Sequence, residues 1–278
     1  MPTSLFSYDT LVHAIAGAAG SVIGMTAFYP LDTLRSRIQV EDSIQLQGST
    51  WELLMKLANE EGFESLYQGL CPVLQSLSIS NFVYFYAFHA LRKVTAKENS
   101  ALKDLLYGIV AGSINVLLTS PLWVVNTRMK LEKNSYSSLF GGLVQVAKQE
   151  GAKGLWSGTI PSLLLVSNPA IQFMVYERLK RDLVSRQCFD TYNAFLVGAI
   201  AKAIATTLTY PVQLIQSRLR AGTSLKPLFK DVKSNPLILF RGLEVKLLQT
   251  VMTAALMFLI YEKLVRLVLT IMRVKANK

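Results

Sequence analysis

Apolar and polar positions fall in long blocks along this chain. Six apolar blocks run roughly over 11–30, 70–91, 105–125, 159–177, 192–215 and 243–269, with polar stretches between them. Each supplies about 20 helical residues, enough to cross a hydrocarbon core about 30 Å thick. Backbone N–H and C=O groups cannot stay bare in lipid, so transmembrane helices are predicted. The fold class expected is therefore all-α, a membrane protein of six helices.

The blocks repeat. Prolines 30, 121 and 211 open PLDTLRSRIQ, PLWVVNTRMK and PVQLIQSRLR, and stand 91 and 90 residues apart. That period divides one membrane body into three two-helix units. The expected boundaries are 1–97, 98–186 and 187–278. A polar linker follows each proline segment. In the first two linkers, TWELLMKLANEEG and SLFGGLVQVAKQEG, apolar residues recur at helical spacing, which predicts short helices lying along the membrane surface. The third, LKPLFKDVKSN, is shorter. Each linker ends in a second mark: EGFESLYQG, EGAKGLWSG and the worn SNPLILFRG. Its last glycine (Gly69, Gly158, Gly242) predicts a helix boundary, and the aromatic two residues earlier (Tyr67, Trp156, Phe240) an interface anchor.

Composition agrees with a membrane protein: 51% of residues are hydrophobic and 17% charged, below the roughly 25% charge usual for a soluble chain. The net charge of +11 suits an anionic membrane surface or an anionic solute. Nucleic acid is excluded, because the basic residues are scattered among apolar blocks without a nucleic-acid-binding signature. Cys71 and Cys188 lack metal-ligand spacing, as do His13 and His89, so no metal site is expected. The N-terminus carries no basic leader, which predicts internal targeting information. Lysine and arginine are slightly more numerous on the terminus side than in the linkers, which predicts cytosolic termini.

Proline inside a helix removes a hydrogen bond and crowds the preceding turn, so Pro30, Pro121 and Pro211 predict three bent helices converging at one end of a bundle. Positions two and five residues after each proline share a helix face. The three segments resemble the Pro-x-[Asp/Glu]-x-x-[Lys/Arg] signature of the mitochondrial carrier family. The resemblance covers about Leu11 to Leu269. It implies six tilted helices in three pseudosymmetric repeats around a central cavity, opening alternately to either face. Only the first copy keeps the pattern, as Asp32 and Arg35; the others have Trp123 and Asn126, then Gln213 and Gln216. The implied linker-side gate opposes Asp32 to Asn126, Trp123 to Gln216 and Gln213 to Arg35, so no complete inter-repeat ion pair is expected. Asp32 and Arg35 can pair within their own helix. Arg37, Arg128 and Arg218 persist in all three copies. On the even helices the implied terminus-side gate is His89 with Lys180, Glu177 with Val265, and Glu262 with Arg92. Only the last is a full pair.

Lys202 lies deep in AFLVGAIAKAIATTLTY, where a charge must face water, a partner or a ligand. Its equivalents, Ser21 and Gly112, are small and sit in close-packing motifs, Gly17-xxx-Ser21 and Gly108-xxx-Gly112. A cavity-facing lysine would attract phosphate or carboxylate. The resemblance places further solute contacts three and a half turns before the even-helix gate: Ser76 and Leu77, Leu164 and Leu165, Gln249 and Thr250. Lys246, Asn81, Asn168 and Gln172 add polar positions. The apolar pair suits an adenine ring. The aromatics of NFVYFYAF are chiefly lipid and core contacts.

The stretches SNFVYFY, LTSPLWVVNTR, PSLLLVSNPAIQFM and GLEVKLLQTVMTAALMFLIYEK resemble the peroxisomal branch of the family. That resemblance implies antiport of coenzyme A, FAD, NAD and AMP or ADP across the peroxisomal membrane. It implies no cofactor, no enzymatic activity, a monomer, and delivery by a peroxisomal membrane-protein import receptor. A mitochondrial inner-membrane carrier for another nucleotide or cofactor, and a membrane scaffold that has lost transport, are the alternatives.

Overall fold

The computed structural model of the protein describes residues 22–40, 48–94, 101–131, 138–185 and 191–256. Each copy runs through the same series: a proline-bearing helix, a surface helix, a short turn ending in glycine, and a returning helix. In the first copy these are α1 (Tyr29–Val40), α2 (Thr50–Glu61) and α3 (Leu70–Val94). In the second they are α4 (Ala101–Leu131), α5 (Leu139–Leu155), α6 (Thr159–Leu165) and α7 (Asn168–Ser185). The third has α8 (Thr191–Arg220), α9 (Leu225–Ser234) and α10 (residues 243–256).

Among the described residues, Lys103–Leu131 and Asn193–Arg220 are each long and apolar enough to cross a bilayer. Leu139–Leu155 followed by Thr159–Val184 also qualifies, with a bend of 55° where the surface helix turns into the returning one. The large apolar side chains left exposed on the bundle, among them Phe82, Leu118, Leu208 and Val251, form the surface presented to lipid.

Pro121 and Pro211 lie inside continuous helices, whereas a turn at Phe28 separates helical residues 22–27 from α1. The returning helix of the second copy is broken at Val166 and Ser167, inside the block read as continuous over 159–177. Pro169 explains the break: it lacks an N–H and crowds the turn before it.

The surface helices pack on the ends of the proline helices. In the first copy Leu57 and Leu66 close on Leu31, Leu34 and Ile38; in the second Leu139 and Val146 close on Val125 and Met129. Ser49 caps α2 in a capping box with Glu52, and Ser138 caps α5. The third linker is helical too, beyond what its pattern predicts. Pro227 falls in the first turn of α9, where a missing N–H costs nothing, and Ser224 caps the helix.

The linker helices are also held by charge. Arg37 pairs with Glu61, and Arg128 pairs with Glu150 through Nη1 and a second contact of 2.8 Å from Nη2 to Oε2. The worn third copy has Ser234 at the equivalent position. Arg218 instead donates from Nε to the Gln39 carbonyl at 2.9 Å. The Arg128 hydrogen bond holds the Glu150 carboxyl below the ordinary range, against a smaller opposing effect of burial.

Gly69, Gly158 and Gly242 each stand at the start of a returning helix with φ of 79°, 79° and 80°. They also sit against a proline helix: a Cβ on Gly158 would lie 3.1 Å from the Gln216 carbonyl and from Arg220 Cγ. The aromatic of the mark packs nearby. Tyr67 stacks on Tyr29 with centroids 6.3 Å apart, Phe240 stacks on Tyr210 at 6.5 Å, and Trp156 Nε1 donates to the Leu117 carbonyl at 2.9 Å. Gly112 packs against Val166 and Gly108 against Tyr84, where added methyls would meet side chains at 2.8 and 3.4 Å. Gly17 and Ser21 lie outside the described residues.

Gly158→Ala is expected to destabilise the fold by about 1–3 kcal/mol, since it adds both a strained φ and a contact. Gly198→Ala, helical and with no atom within 4 Å, should be neutral or slightly stabilising. Thermal unfolding of the two variants in lipid checks this. Glu150→Gln should lose stability near neutral pH and lose less than the wild type below pH about 4.5. The depressed carboxyl contributes fully above its unfolded pKa of 4.5, and the contribution disappears as the pH falls through the folded value.

Candidate functional site

The proline helices meet at their linker ends. The side chains two and five residues after each proline (Asp32, Arg35, Trp123, Asn126, Gln213 and Gln216) line one cavity of about 160 Å³. The structure thus brings the six positions together. Their pairing differs from the expected one.

Asp32 does not meet Asn126. Its Oδ2 pairs with Lys130, nine residues after Pro121, and its Oδ1 accepts from Arg35 Nη2 at 3.0 Å and Gln249 Nε2 at 3.3 Å. The intrahelical Asp32–Arg35 pair is present as the sequence suggests, and an inter-repeat ion pair is present as well. Lys130 Nζ also lies 4.9 Å from the Tyr29 ring centre. Asn126 is buried and makes no hydrogen bond among the described residues.

The same offset recurs in the other copies. Arg220, nine residues after Pro211, lies over the Trp123 ring at 5.9 Å and donates to Ser162 Oγ at 3.1 Å. Trp123 therefore faces Arg220, while Gln216 donates to Ser162 Oγ at 2.8 Å. Gln39, nine residues after Pro30, donates to Tyr210 Oη at 3.0 Å and accepts from Ser217 Oγ at 2.7 Å. Gln213 Nε2 donates to Thr209 Oγ1 within its own helix at 3.1 Å, so it does not engage Arg35 through a hydrogen bond. Sequence reasoning missed these three positions. Two, five and nine residues after a proline form one stripe on a helix, and the last is polar in every copy.

The residues before the prolines complete the ring. Tyr29 Oη donates to the Gln68 carbonyl at 2.9 Å and Tyr210 Oη to the Arg241 carbonyl at 2.8 Å. In the second copy, Thr159 Oγ1 donates to Ser120 Oγ at 3.1 Å. Each contact anchors a proline helix to the chain beside a marked glycine.

Two wider spaces adjoin this ring. One, of about 340 Å³, is lined by Arg35, Lys202 and Lys246 with Asn168, Thr206 and Thr250. The other, of about 400 Å³, follows one face of α4 from Asp104 to Trp123 and takes in Tyr84, Leu165 and Val166. Leu165 and Gln216 border both. Lys202, which the sequence singled out, stands in the cavity wall beside two more cations, with no acid in that wall.

Not every expected contact lies there. Ser76 is fully buried, its hydroxyl unpaired among the described residues, and lines none of these spaces. Leu164 is 61% exposed and also lines none, whereas its neighbour Leu165 borders two of them. Gln249 is buried between Lys246 Nζ, 3.5 Å away, and Asp32. Thr250 lines the cavity, with its hydroxyl bonded to the Lys246 carbonyl. Of the NFVYFYAF aromatics, Tyr84 lines the inner space; Phe82 and Tyr86, 71% and 70% exposed, line an outer apolar groove.

The terminus-side set is not drawn together among the described residues. Arg92 Nε lies 3.7 Å from Asp104, Lys180 lies 3.9 Å from Glu177 within one helix, and exposed His89 packs edge-on to Phe88. Among the described residues Asp104 is the acid beside Arg92; Glu262 and Val265, and with them the expected Glu262–Arg92 pair, lie outside the described residues.

A pattern described as Mitochondrial carrier protein matches residues 6–99, 97–187 and 189–271. The chain belongs to the mitochondrial carrier family. Members of this family are transporters, not enzymes, and need no cofactor. The chain is 48% identical to the peroxisomal membrane protein PMP34 of Mus musculus, over 99% of this chain and 98% of that protein. It is 32% identical to the peroxisomal nicotinamide adenine dinucleotide carrier of Arabidopsis thaliana, over 93% and 96% of the two chains. It is also 32% identical to the peroxisomal membrane protein PMP47B of Candida boidinii, over 76% of this chain and 63% of that one. This carrier is a multi-pass protein of the peroxisomal membrane.

Asp32→Asn is expected to be the most destabilising of the ring substitutions, at about 3–5 kcal/mol, because it strips the counter-charge from buried Lys130 and Arg35. Trp123→Leu, which removes a cation–π contact, should cost about 0.5–2 kcal/mol. Unfolding midpoints in lipid nanodiscs rank the two.

Proposed function

We propose that this carrier exchanges nucleotide-type cofactors, namely coenzyme A, FAD, NAD and AMP or ADP, across the peroxisomal membrane by alternating-access antiport. The observation that carries the reading is the wall of Arg35, Lys202 and Lys246 in one cavity without a lining acid. Arg35 already pairs with Asp32, which leaves Lys202 and Lys246 in this wall with no lining acid. Two such cations in a low-dielectric bundle call for an anionic ligand, and phosphate or pyrophosphate supplies it. Asn168, Thr206 and Thr250 offer hydrogen bonds to ribose or phosphate oxygens. The adjoining space beside Tyr84, Leu165 and Val166 offers an apolar surface to an adenine ring. The name of the Arabidopsis relative, a nicotinamide adenine dinucleotide carrier, fits this class of solute.

The same charge accounts for exchange. Closing the bundle over an empty cavity would bury cations without counter-charge, a cost of several kcal/mol. Closing it over a phosphate offsets that cost. The return step is then fast only with another anion inside, and uptake becomes coupled to release.

Counter-exchange in liposomes tests the proposal. Vesicles preloaded with coenzyme A, NAD or AMP should take up labelled coenzyme A, FAD, NAD or ADP, and empty vesicles should not. Lys202→Ala should reduce exchange about 10–100-fold, as expected for loss of one charge-assisted contact. No uptake of any of these by folded protein would favour a scaffold or another solute. Uptake unchanged by Lys202→Ala would leave the carrier but move its anion contact.

A further inference from the structure

The cavity of the linker-side ring holds more positive charge than its side chains neutralise. Its wall contains one carboxylate, Asp32, and three cations: Arg35, Lys130 and Arg220. Asp32 is fully used, since Oδ1 takes Arg35 and Gln249 and Oδ2 takes Lys130. Where the first copy has this acid, the second has Trp123 and the third Gln213. Among the described residues, the contacts of the Arg220 guanidinium are the Trp123 ring and the Ser162 hydroxyl, and neither carries a negative charge.

Unused donors face the same place. Asn126 is 1% exposed, and neither atom of its amide has a hydrogen-bond partner among the described residues. Arg35 Nε is likewise buried without one. Buried donors left unmatched are rare in folded proteins and call for an explanation. The cavity, at about 160 Å³, exceeds by far the roughly 10–15 Å³ that one water requires.

We propose that this cavity binds one small inorganic anion, of the chloride or phosphate class, when the linker side is closed. The anion stands where a second carboxylate would complete the ring. It accepts from the Asn126 amide and Arg35 Nε and balances Arg220. It is distinct from the carried solute, which occupies the wider cavity walled by Lys202 and Lys246. The inference rests on the carrier reading only in treating the ring as a gate; the binding itself does not require transport.

The test compares sodium chloride, sodium phosphate and sodium gluconate at constant ionic strength, with the purified full chain in nanodiscs. Chloride and phosphate should raise the unfolding midpoint saturably, by about 2–4 °C over gluconate. Gln213→Glu places a carboxylate in the ring and should abolish the response; Asn126→Asp should do the same if the first variant folds poorly. Equal midpoints in all three salts would overturn the proposal. So would a shift that survives in both variants, since it would come from elsewhere on the surface. A shift with AMP but with neither inorganic anion would overturn it too, and would make the cavity part of the solute path. Counter-exchange measured on the same purified protein reconstituted into liposomes separates the two readings: a chloride response without transport retains the anion site and removes the carrier proposal.

Discussion

A carboxylate buried in a helix bundle is costly unless its oxygens are filled by donors of good geometry. Asp32 meets that condition with groups from all three copies: Arg35 from the first, Lys130 from the second and Gln249 from the third. One side chain thus joins the three units where their proline helices converge. The contacts beside it follow the same offset. Arg220 reaches back to Trp123 and Gln39 to Tyr210, so each proline helix ends by gripping the one before it in the cycle.

The copies have diverged in charge while keeping this geometry. Where the first has a carboxylate, the second has an indole that a guanidinium can cover, and the third an amide bonded within its helix. The outer ring shows the same drift. Arg37 and Arg128 keep their glutamates, whereas Arg218 faces Ser234 in sequence and turns to the Gln39 carbonyl. The ring is therefore held more by mixed polar contacts than by a set of ion pairs. Under the proposed transport reading, such a ring would present a lower electrostatic barrier to opening than three desolvated ion pairs, and the positive cavity beside it would favour opening with an anionic cargo bound.

Much of this was legible in the amino-acid order. The period of the prolines, the glycine at each helix start and the lone charge of Lys202 in an apolar run are local signals with local causes. The stripe nine residues after each proline was harder to read. It lies beyond the short signature, and which neighbour it meets depends on how far each helix tilts, which side-chain spacing does not state. The third surface helix was obscured by Pro227, whose effect depends on its falling in the first turn. Leu164 and Leu165 came from one count back from Glu177, but adjacent residues on a helix point about 100° apart, and Leu165 is the one that borders the cavity. Ser76 and Gln249 were placed on the solute path by counting alone, whereas burial puts one in the packing and the other in the Asp32 cluster.

The most direct measurement is a charge exchange between Asp32 and Lys130, read by nucleotide counter-exchange and by folded yield. Asp32→Lys and Lys130→Asp alone each place like charges in a buried site, and both should abolish exchange. The double variant restores an opposed pair between the first and second copies and should recover a measurable part of the wild-type rate. Wild-type exchange by Lys130→Asp alone, or no recovery in a folded double variant, would contradict the view that this pair holds the linker side of the bundle together.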